Sequence, residues 1–225
     1  MRGVSSTMSV NIPIRRLERL KSLQKDLASK IIVRPLNIEN GFIAGVDVSY
    51  NKDLGFCSVV VLRYPELEVI NVYNAKRTVR FPYIPGFLSF REMPVVLKAF
   101  ERVREDIFLI FCDGQGIAHP RGFGLASHIG VELNLPSIGC AKSRLVGEYS
   151  EPDSSRGSYS PLYYKDKVVG VVLRTRDGVS PVFVSIGNKI DIDSAVRYTL
   201  NCSRTRIPEP LRLAHHFVTE YRKRD

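Results

Sequence analysis

The sequence predicts a single α/β domain in which helices flank a mixed sheet. Three strand-like runs with short links, Phe42–Tyr50, Cys57–Tyr64 and Val69–Val79, indicate an antiparallel meander. Residues 107–141 then read as strand, helix and strand, which predicts two parallel strands joined by a right-handed crossover. At 225 residues, the chain is long enough for one well-buried domain.

The segments before and after the meander are predicted as follows. Residues 1–10 hold one arginine and no apolar run, so we expect a flexible lead and not a secretory signal. An amphipathic helix is predicted over residues 12–32, where leucine and isoleucine recur at intervals of three and four. The Pro- and Gly-rich segment Phe81–Pro94 is predicted to be largely loop, with Glu92 close to a helix that runs to about Glu105.

The second half of the chain completes the sheet. Ile107–Cys112 is an unbroken apolar run, typical of a central strand that is covered on both faces. A glycine-rich loop (114–124), a helix (123–134) and a strand (Ser137–Ala141) are predicted next, followed by a Ser-rich loop (Ser150–Ser160). Two strands joined around Asp177-Gly178 (Val168–Arg174 and Val182–Ile186) and two helices (Asp191–Leu200 and Pro210–Arg222) are predicted to complete the chain. A meander that feeds parallel strands is the arrangement of ribonuclease H-like nucleases.

Charge and composition favour a polyanionic partner and argue against a membrane protein. The chain has 33 Lys and Arg against 23 Asp and Glu, a net charge of +10. No apolar run approaches the roughly 20 residues that span a bilayer. The four cysteines are widely spaced and no export signal is evident, so we expect reduced, mostly buried thiols in a soluble cytoplasmic protein.

Two aspartates stand out as candidate metal ligands. Alternation along the first strand places Asp47 with Gly45 and Ser49 on the face opposite the core, and Asp113 closes the apolar fourth strand. If these strands are neighbours, both carboxylates face one cleft, and a divalent cation relieves their repulsion. Oxygen ligands favour Mg²⁺ or Mn²⁺ over zinc. Each residue also has a structural interpretation, Asp47 as a solvent-facing strand residue and Asp113 as a turn cap.

Other chemistries fail on spacing. The sequence has no Cys-x-x-Cys, no His-x₃-His and no His-Glu-x-x-His, which argues against zinc, and no Gly-x-Ser-x-Gly nucleophile motif. The run from Gly114 to His119 begins like a dinucleotide fingerprint but lacks the third glycine, and there is no P-loop. The glycines of this loop instead allow close backbone approach to a flat or phosphate-bearing ligand, or form a flexible turn.

Several blocks in the right order resemble the endonuclease V family, from about residue 15 to residue 222. The most specific is Phe81–Glu92, which resembles the family's Pro-Tyr-Ile-Pro-Gly-x-Leu-x-Phe-Arg-Glu signature. The other matching blocks are Ala44–Ser49, Asp113–Gly116, His119–Arg121, Gly124–His128, Pro136–Lys142, Arg206–Pro210 and Ala214-His215.

The resemblance implies a ribonuclease H-like, Mg²⁺-dependent endonuclease of DNA repair, with Mn²⁺ as a substitute metal. Such enzymes recognise hypoxanthine in DNA and cut the second phosphodiester bond on its 3′ side, leaving 3′-hydroxyl and 5′-phosphate ends. We also expect a monomer that does not act at a membrane, although the sequence leaves the oligomeric state open. Inosine in RNA stays open as the main substrate. A glycosylase, which would need no metal, and a binding module without catalysis are the rival classes.

The resemblance also implies roles for individual residues. Asp47, Glu92 and Asp113 correspond to the metal-binding carboxylates. Lys142 corresponds to a cation near the scissile phosphate, and His215 to a residue near the metal, although the adjacent His216 competes for that position. The substrate-binding residues implied are a wedge with Tyr83 at its tip, a pocket built largely of backbone, and a histidine in the cleft: Pro82, Tyr83, Ile84, Pro85, Gly86, Leu88, Gly114, Gly116, Gly124 and His119.

Overall fold

A computed structural model describes residues 13–225, and the predicted lead at residues 1–10 lies outside this range. An eight-stranded mixed sheet with helices on both faces confirms the predicted fold class. The elements in chain order are α1 (Ile14–Ala28), β1 (Gly41–Asn51), β2 (Leu54–Tyr64), β3 (Glu68–Thr78), α2 (Leu88–Phe100), β4 (Ile107–Asp113), α3 (Leu125–Glu132), β5 (Ser137–Ala141), β6 (Tyr159–Tyr164), β7 (Lys167–Leu173), β8 (Val182–Asn188), α4 (Ile192–Asn201) and α5 (Glu209–Lys223). None of these helices has the length and apolar character needed to cross a membrane.

The strand order is β3-β2-β1-β4-β5-β8-β7-β6. The predicted meander of β1, β2 and β3 is antiparallel, and β4 and β5 are parallel as expected for a strand–helix–strand unit. β1 also pairs in parallel with β4, with Val46 opposite Cys112. Asp47 and Asp113 are the next residues on these two strands, so the register brings both aspartates to the same edge of the sheet.

Both faces of the central strands are buried. One apolar layer lies under α4 and α5, and the other lies under α2 and α3. Ile43 and Ala44 point to opposite faces of β1, yet each is 0% exposed. The prediction that one face of β1 is open was therefore wrong for most of the strand, because α5 covers it. The face opens only from Asp47 onward, where the burial of β1 becomes intermediate.

The helix α2 begins earlier than the sequence indicated. Phe81–Pro94 was predicted to be largely loop, but α2 starts at Leu88 and places Glu92 in its second turn. Pro94 lies inside this helix, where it removes one backbone donor. The helix survives that loss because its apolar face is buried against β2 and β3. It ends at Phe100, short of the predicted Glu105.

Two further boundaries differ from the predictions. The first helix ends at Ala28, and its leucine face is only half-buried, whereas Gln24 is fully buried. The strand β6 was not predicted, because Pro161 lies within it and the residues before it are rich in serine. β6 is the last strand of the sheet: it pairs with β7, and on its other side only an isolated bridge joins Tyr163 to Glu148. Proline is tolerated at such a sheet edge.

The helix α5 lies directly on β1 at Gly45. A Cβ atom at this position would stand 1.9 Å from the carbonyl oxygen of Pro210, in the first turn of α5. Only glycine permits this backbone approach. The approach fixes the position of α5 over the end of β1, where Asp47 lies.

Replacing Gly45 with alanine should therefore destabilise the protein by about 3 kcal/mol or more, because a backbone carbonyl cannot move aside as a side chain can. Gly178→Ala is the matched control: Gly178 has φ +67° and open space around it, so alanine should cost only about 1 kcal/mol. Urea denaturation of both variants measures the difference. Equal losses would mean that the approach of α5 to β1 is not a tight constraint.

Candidate active site

Three carboxylates meet at the edge of the sheet where β1 and β4 end. Asp47 and Asp113 come from the strands, and Glu92 comes from α2. Glu92 is 8% exposed, and burial together with the nearby charges of Asp47 and Asp113 raises its pKa to about 8. The guanidinium of Arg91 opposes this shift without cancelling it. A carboxyl group of this kind holds its proton at neutral pH in the absence of a cation.

Asp47 is the second carboxylate with a perturbed environment. Burial and the charge of Asp113 raise its pKa, although hydrogen bonds from His215 and from its neighbour's backbone oppose the rise. Nδ1 of His215 donates to Oδ2 of Asp47 at 2.8 Å, and the amide of Val48 donates to Oδ1 at 2.8 Å. His216 packs instead against the ring of Phe217. The rotation of α5 thus brings His215, and not His216, to the carboxylates.

Asp113 has a lysine partner. Nζ of Lys142, the residue after β5, donates to Oδ2 of Asp113 at 3.0 Å. The Lys142 side chain is about half exposed, so its ammonium group stands at the mouth of the cleft. The parallel pairing of β4 with β5 places the two residues on the same edge, since Asp113 lies opposite Cys140.

The site therefore holds three acidic side chains, of which Glu92 keeps its proton while no cation is bound, and one nearby ammonium group. Within residues 13–225, no three His, Cys, Asp or Glu side chains already converge as a ready-made metal site. Asp47 is paired with His215 and Asp113 with Lys142 in this conformation. Burial first, and the charges of the neighbouring aspartates second, raise the pKa values of Asp47 and Glu92, and a bound cation would favour the ionised form of both.

The Pro82–Pro85 strip leads into the first turn of α2. The amide of Phe87 donates to the carbonyl of Ile84 at 2.9 Å, and Gly86 has φ +79°. Proline followed by a positive-φ glycine is the pattern of a type II turn. Tyr83 is 68% exposed on this stiff strip, which is unusual for so large an apolar ring.

The carbonyl of Gly86 ties the strip to two other parts of the chain. It accepts hydrogen bonds from Nε2 of Gln24 at 3.1 Å, from Nε2 of His119 at 3.1 Å, and from the guanidinium of Arg121. Nε of Arg121 also donates to Oε1 of Gln24 at 2.5 Å. Burial and the charge of Arg121 lower the pKa of His119 to about 4, so the ring is neutral at pH 7. Gln24 was not predicted to belong to this site, because it lies among the leucines of α1.

A cavity of about 210 Å³ lies beside the carboxylates. It is smaller than the roughly 300–1,000 Å³ of typical drug-sized sites, so it suits one planar ring system. Seven of the predicted binding residues line it, together with polar groups such as Gln115 and Ser143: Tyr83, Pro85, Gly86, Leu88, Gly114, His119 and Gly124. Oε1 of Gln115 faces the hydroxyl of Ser185, and its Nε2 donates to the carbonyl of Ser143 at 3.2 Å.

Three predicted binding residues lie outside this lining. Pro82 and Ile84 shape the strip but do not face the cavity. Gly116 packs against β8, where a Cβ atom would meet the carbonyl oxygen of Ile186 at 1.9 Å. Glycine is required at this position for backbone packing, whereas the motif suggested contact with a ligand.

The cavity and the carboxylates are linked through the chain itself. Gly114 of the cavity follows Asp113 directly, and Leu88 of the cavity lies one helical turn before Glu92. A ring held in the cavity would thus stand at a fixed separation from the carboxylates.

The chain is similar to known proteins over most of its length. The endonuclease V family model matches residues 25–216. An endonuclease V of Dictyoglomus thermophilum is 48% identical over 199 residues, which cover 88% of this chain and 87% of that protein. The crystal structure of endonuclease V from Streptomyces avermitilis has a TM-score of 0.88 at 41% identity, covering 92% of this chain and 93% of that one.

A third similar protein has been solved with nucleic acid. Endonuclease V of Ciona intestinalis, at 27% identity and a TM-score of 0.83, covers 95% of this chain and 99% of its own. That structure is a complex with a 23mer DNA containing an inosine followed by a ribo-adenosine. The likeness to these structures confirms the ribonuclease H-like fold that the sequence predicts. The chain therefore belongs to the endonuclease V family and is an endonuclease.

Proposed function

We propose that this endonuclease recognises hypoxanthine in nucleic acid and hydrolyses the second phosphodiester bond on its 3′ side, leaving 3′-hydroxyl and 5′-phosphate ends. The observation that carries the proposal is the small cavity next to the carboxylates Asp47, Glu92 and Asp113, with the exposed ring of Tyr83 at its rim. The cavity suits a flipped base, and the carboxylates suit the chemistry at a phosphodiester. The Ciona relative, bound to inosine-containing DNA, supports inosine as the lesion.

The donor set fits a divalent cation such as Mg²⁺, with Mn²⁺ as a substitute. Asp47, Glu92 and Asp113 offer only oxygen ligands, which Mg²⁺ prefers, and their mutual repulsion gives a cation a favourable place to bind. When bound, the ion would supply a Lewis acid that neutralises phosphate charge and activates water. Holding it requires Glu92 to release its proton and Asp113 to loosen its bond to Lys142.

The residues around the carboxylates have separate tasks. The ammonium group of Lys142, held at Asp113, is placed to meet a phosphate oxygen that enters the cleft. The His215 ring orients Asp47 by donating to its Oδ2 atom. Neutral His119 keeps the Gly86 carbonyl in place, so that the turn at the rim of the cavity does not move when a base enters.

We propose DNA repair in the cytoplasm as the setting, with the protein acting as a monomer. All four cysteines are unpaired and buried, which suits a reducing compartment. Inosine in RNA is the second substrate to consider, because the same base, hypoxanthine, occurs in both nucleic acids.

The test is cleavage of matched DNA and RNA oligonucleotides, each with one inosine, mapped to the nucleotide with and without EDTA. Cleavage at the second phosphodiester bond on the 3′ side of inosine, abolished by EDTA, supports the proposal. Release of free hypoxanthine in EDTA would identify a glycosylase instead, and cutting at the first 3′ bond would contradict the proposed position.

In the same assay, Asp47→Asn and Asp113→Asn should each lower the cleavage rate by at least roughly 100-fold while inosine binding largely survives. The amide removes a charge with almost no change in volume. Asp166→Asn, in the exposed turn after β6, is the control and should cleave normally. Near-normal turnover in either cleft variant, or parallel loss of binding and cleavage, contradicts the assignment.

The raised pKa of Glu92 predicts how stability depends on pH in the metal-free protein. Between the ordinary pKa of glutamate and about 8, the folded state binds more protons than the unfolded state, so the free energy of unfolding falls as pH rises. From pH 6 to pH 8, Glu92 should contribute a loss of about 2 kcal/mol. Added Mg²⁺ should reduce the loss.

Urea denaturation in EDTA at the two pH values measures this effect, and Glu92→Gln provides the comparison. The amide cannot ionise, so the variant should lose much less stability than the parent protein between pH 6 and pH 8. Equal losses would show that Glu92 is already ionised in the folded protein at pH 6.

Tyr83→Ala should slow cleavage of duplex inosine substrates roughly tenfold more than cleavage of single-stranded ones. In a duplex, extruding a base breaks pairing and stacking, and an inserted ring recovers part of that cost. Tyr163→Ala is a matched control, because Tyr163 is similarly exposed (51%) on the far edge strand. If Tyr83→Ala slows both substrates equally, the ring is a packing residue and not a wedge.

A further inference from the structure

A second concave surface lies apart from the cavity and the carboxylates. It is a groove of about 960 Å³ between α1, the end of β3 and α2. No aspartate or glutamate lines it. Six cationic side chains do, and together they define the basic groove: Arg16, Lys76, Arg77, Arg80, Arg91 and Lys98. Nothing in the proposed chemistry uses this concentration of charge.

The cations are held mainly by neutral groups. Nζ of Lys98 donates to the carbonyl of Lys76 at 3.2 Å, and a guanidinium nitrogen of Arg77 donates to the carbonyl of Pro94 at 3.5 Å. Within residues 13–225, Lys76 is the one member of the basic groove with an ion pair, to Asp225. The remaining charges repel one another, and an entering polyanion would remove that cost.

The basic groove and the cavity lie on either side of the Pro82–Pro85 strip. Phe81, the residue before the strip, lines the groove, whereas Tyr83 lines the cavity. Arg91 joins the two regions: its guanidinium donates to the carbonyl of Phe81 and stacks 4.3 Å from the ring centre of Tyr50. The base of the strip is thereby anchored to the wall of the groove.

We propose that the basic groove binds the sugar–phosphate backbone of the strand opposite the inosine when the substrate is a duplex. This inference rests on the proposed function. An inserted strip separates the flipped base from its partner strand. With the base in the cavity on one side of the strip, the partner strand is left on the side of the groove, where unneutralised cations face its phosphates.

The test compares binding of an inosine-containing DNA duplex with binding of the same single strand in EDTA, so that cleavage does not interfere. Arg77→Ala combined with Arg80→Ala removes two exposed groove charges. For the duplex, the slope of log affinity against log salt should become shallower by roughly 2, because each lost phosphate contact contributes about 0.9. For the single strand, the slope should change little.

Lys167→Ala combined with Arg176→Ala is the control, because it removes two exposed charges near the opposite edge of the sheet. If the groove variant and this control variant have the same slope of log affinity against log salt on the duplex, the groove does not bind the opposite strand. If the slope of the groove variant becomes equally shallower on the duplex and on the single strand, the cleaved strand lies in the groove and the assignment is overturned. A parent protein that binds inosine duplex but cuts no inosine substrate would refute the proposed function separately.

Discussion

The full or partial burial of three acidic side chains at one edge of the sheet is the constraint on which the candidate active site of this protein depends. Parallel pairing of β1 with β4 forces Asp47 and Asp113 together, and α2 adds Glu92 from above. Burial raises the pKa values of Asp47 and Glu92, and the charges of the neighbouring aspartates raise them further. Only rigid elements can hold like charges in such proximity, because flexible loops would let them separate. The central position of these strands, buried on both faces, supplies that rigidity.

The proposed binding of the base and the proposed chemistry at the carboxylates depend on the same rigid elements. The Gly86 carbonyl gathers hydrogen bonds from α1 and from the loop between β4 and α3, which fixes the turn before α2. The first turn of α2 lines the cavity, and its second turn carries Glu92. The distance between a bound base and the carboxylates is therefore set by helix geometry and by one peptide bond at Asp113-Gly114. This explains in physical terms how the proposed cut can fall at a constant offset from the lesion.

Local patterns predicted the parts of the fold that depend on local sequence. Alternating polar and apolar residues with turn residues between them predicted the meander, and the apolar run before Asp113 predicted the central strand. Other features were set by distant contacts and left no local signal. The start of α2 was predicted too late because Pro94 is typical of a loop. The helix forms nevertheless, since its packing against the sheet outweighs the lost hydrogen bond. The choice of His215 over His216 depends on how α5 rests on Gly45, and a buried Gln24 looks like any polar residue of an amphipathic helix.

The wall of the cavity has a consequence for how this site can change over generations. Glycines form part of it: an alanine Cβ at Gly124 would lie 2.3 Å from the carbonyl oxygen of Gln115, and one at Gly86 would need a left-handed backbone and would crowd Arg121. Single substitutions at these positions damage the fold before they reshape the ligand surface. The proposed base preference would therefore be robust to random mutation at these glycines, because a change there would require remodelling of the loop backbone.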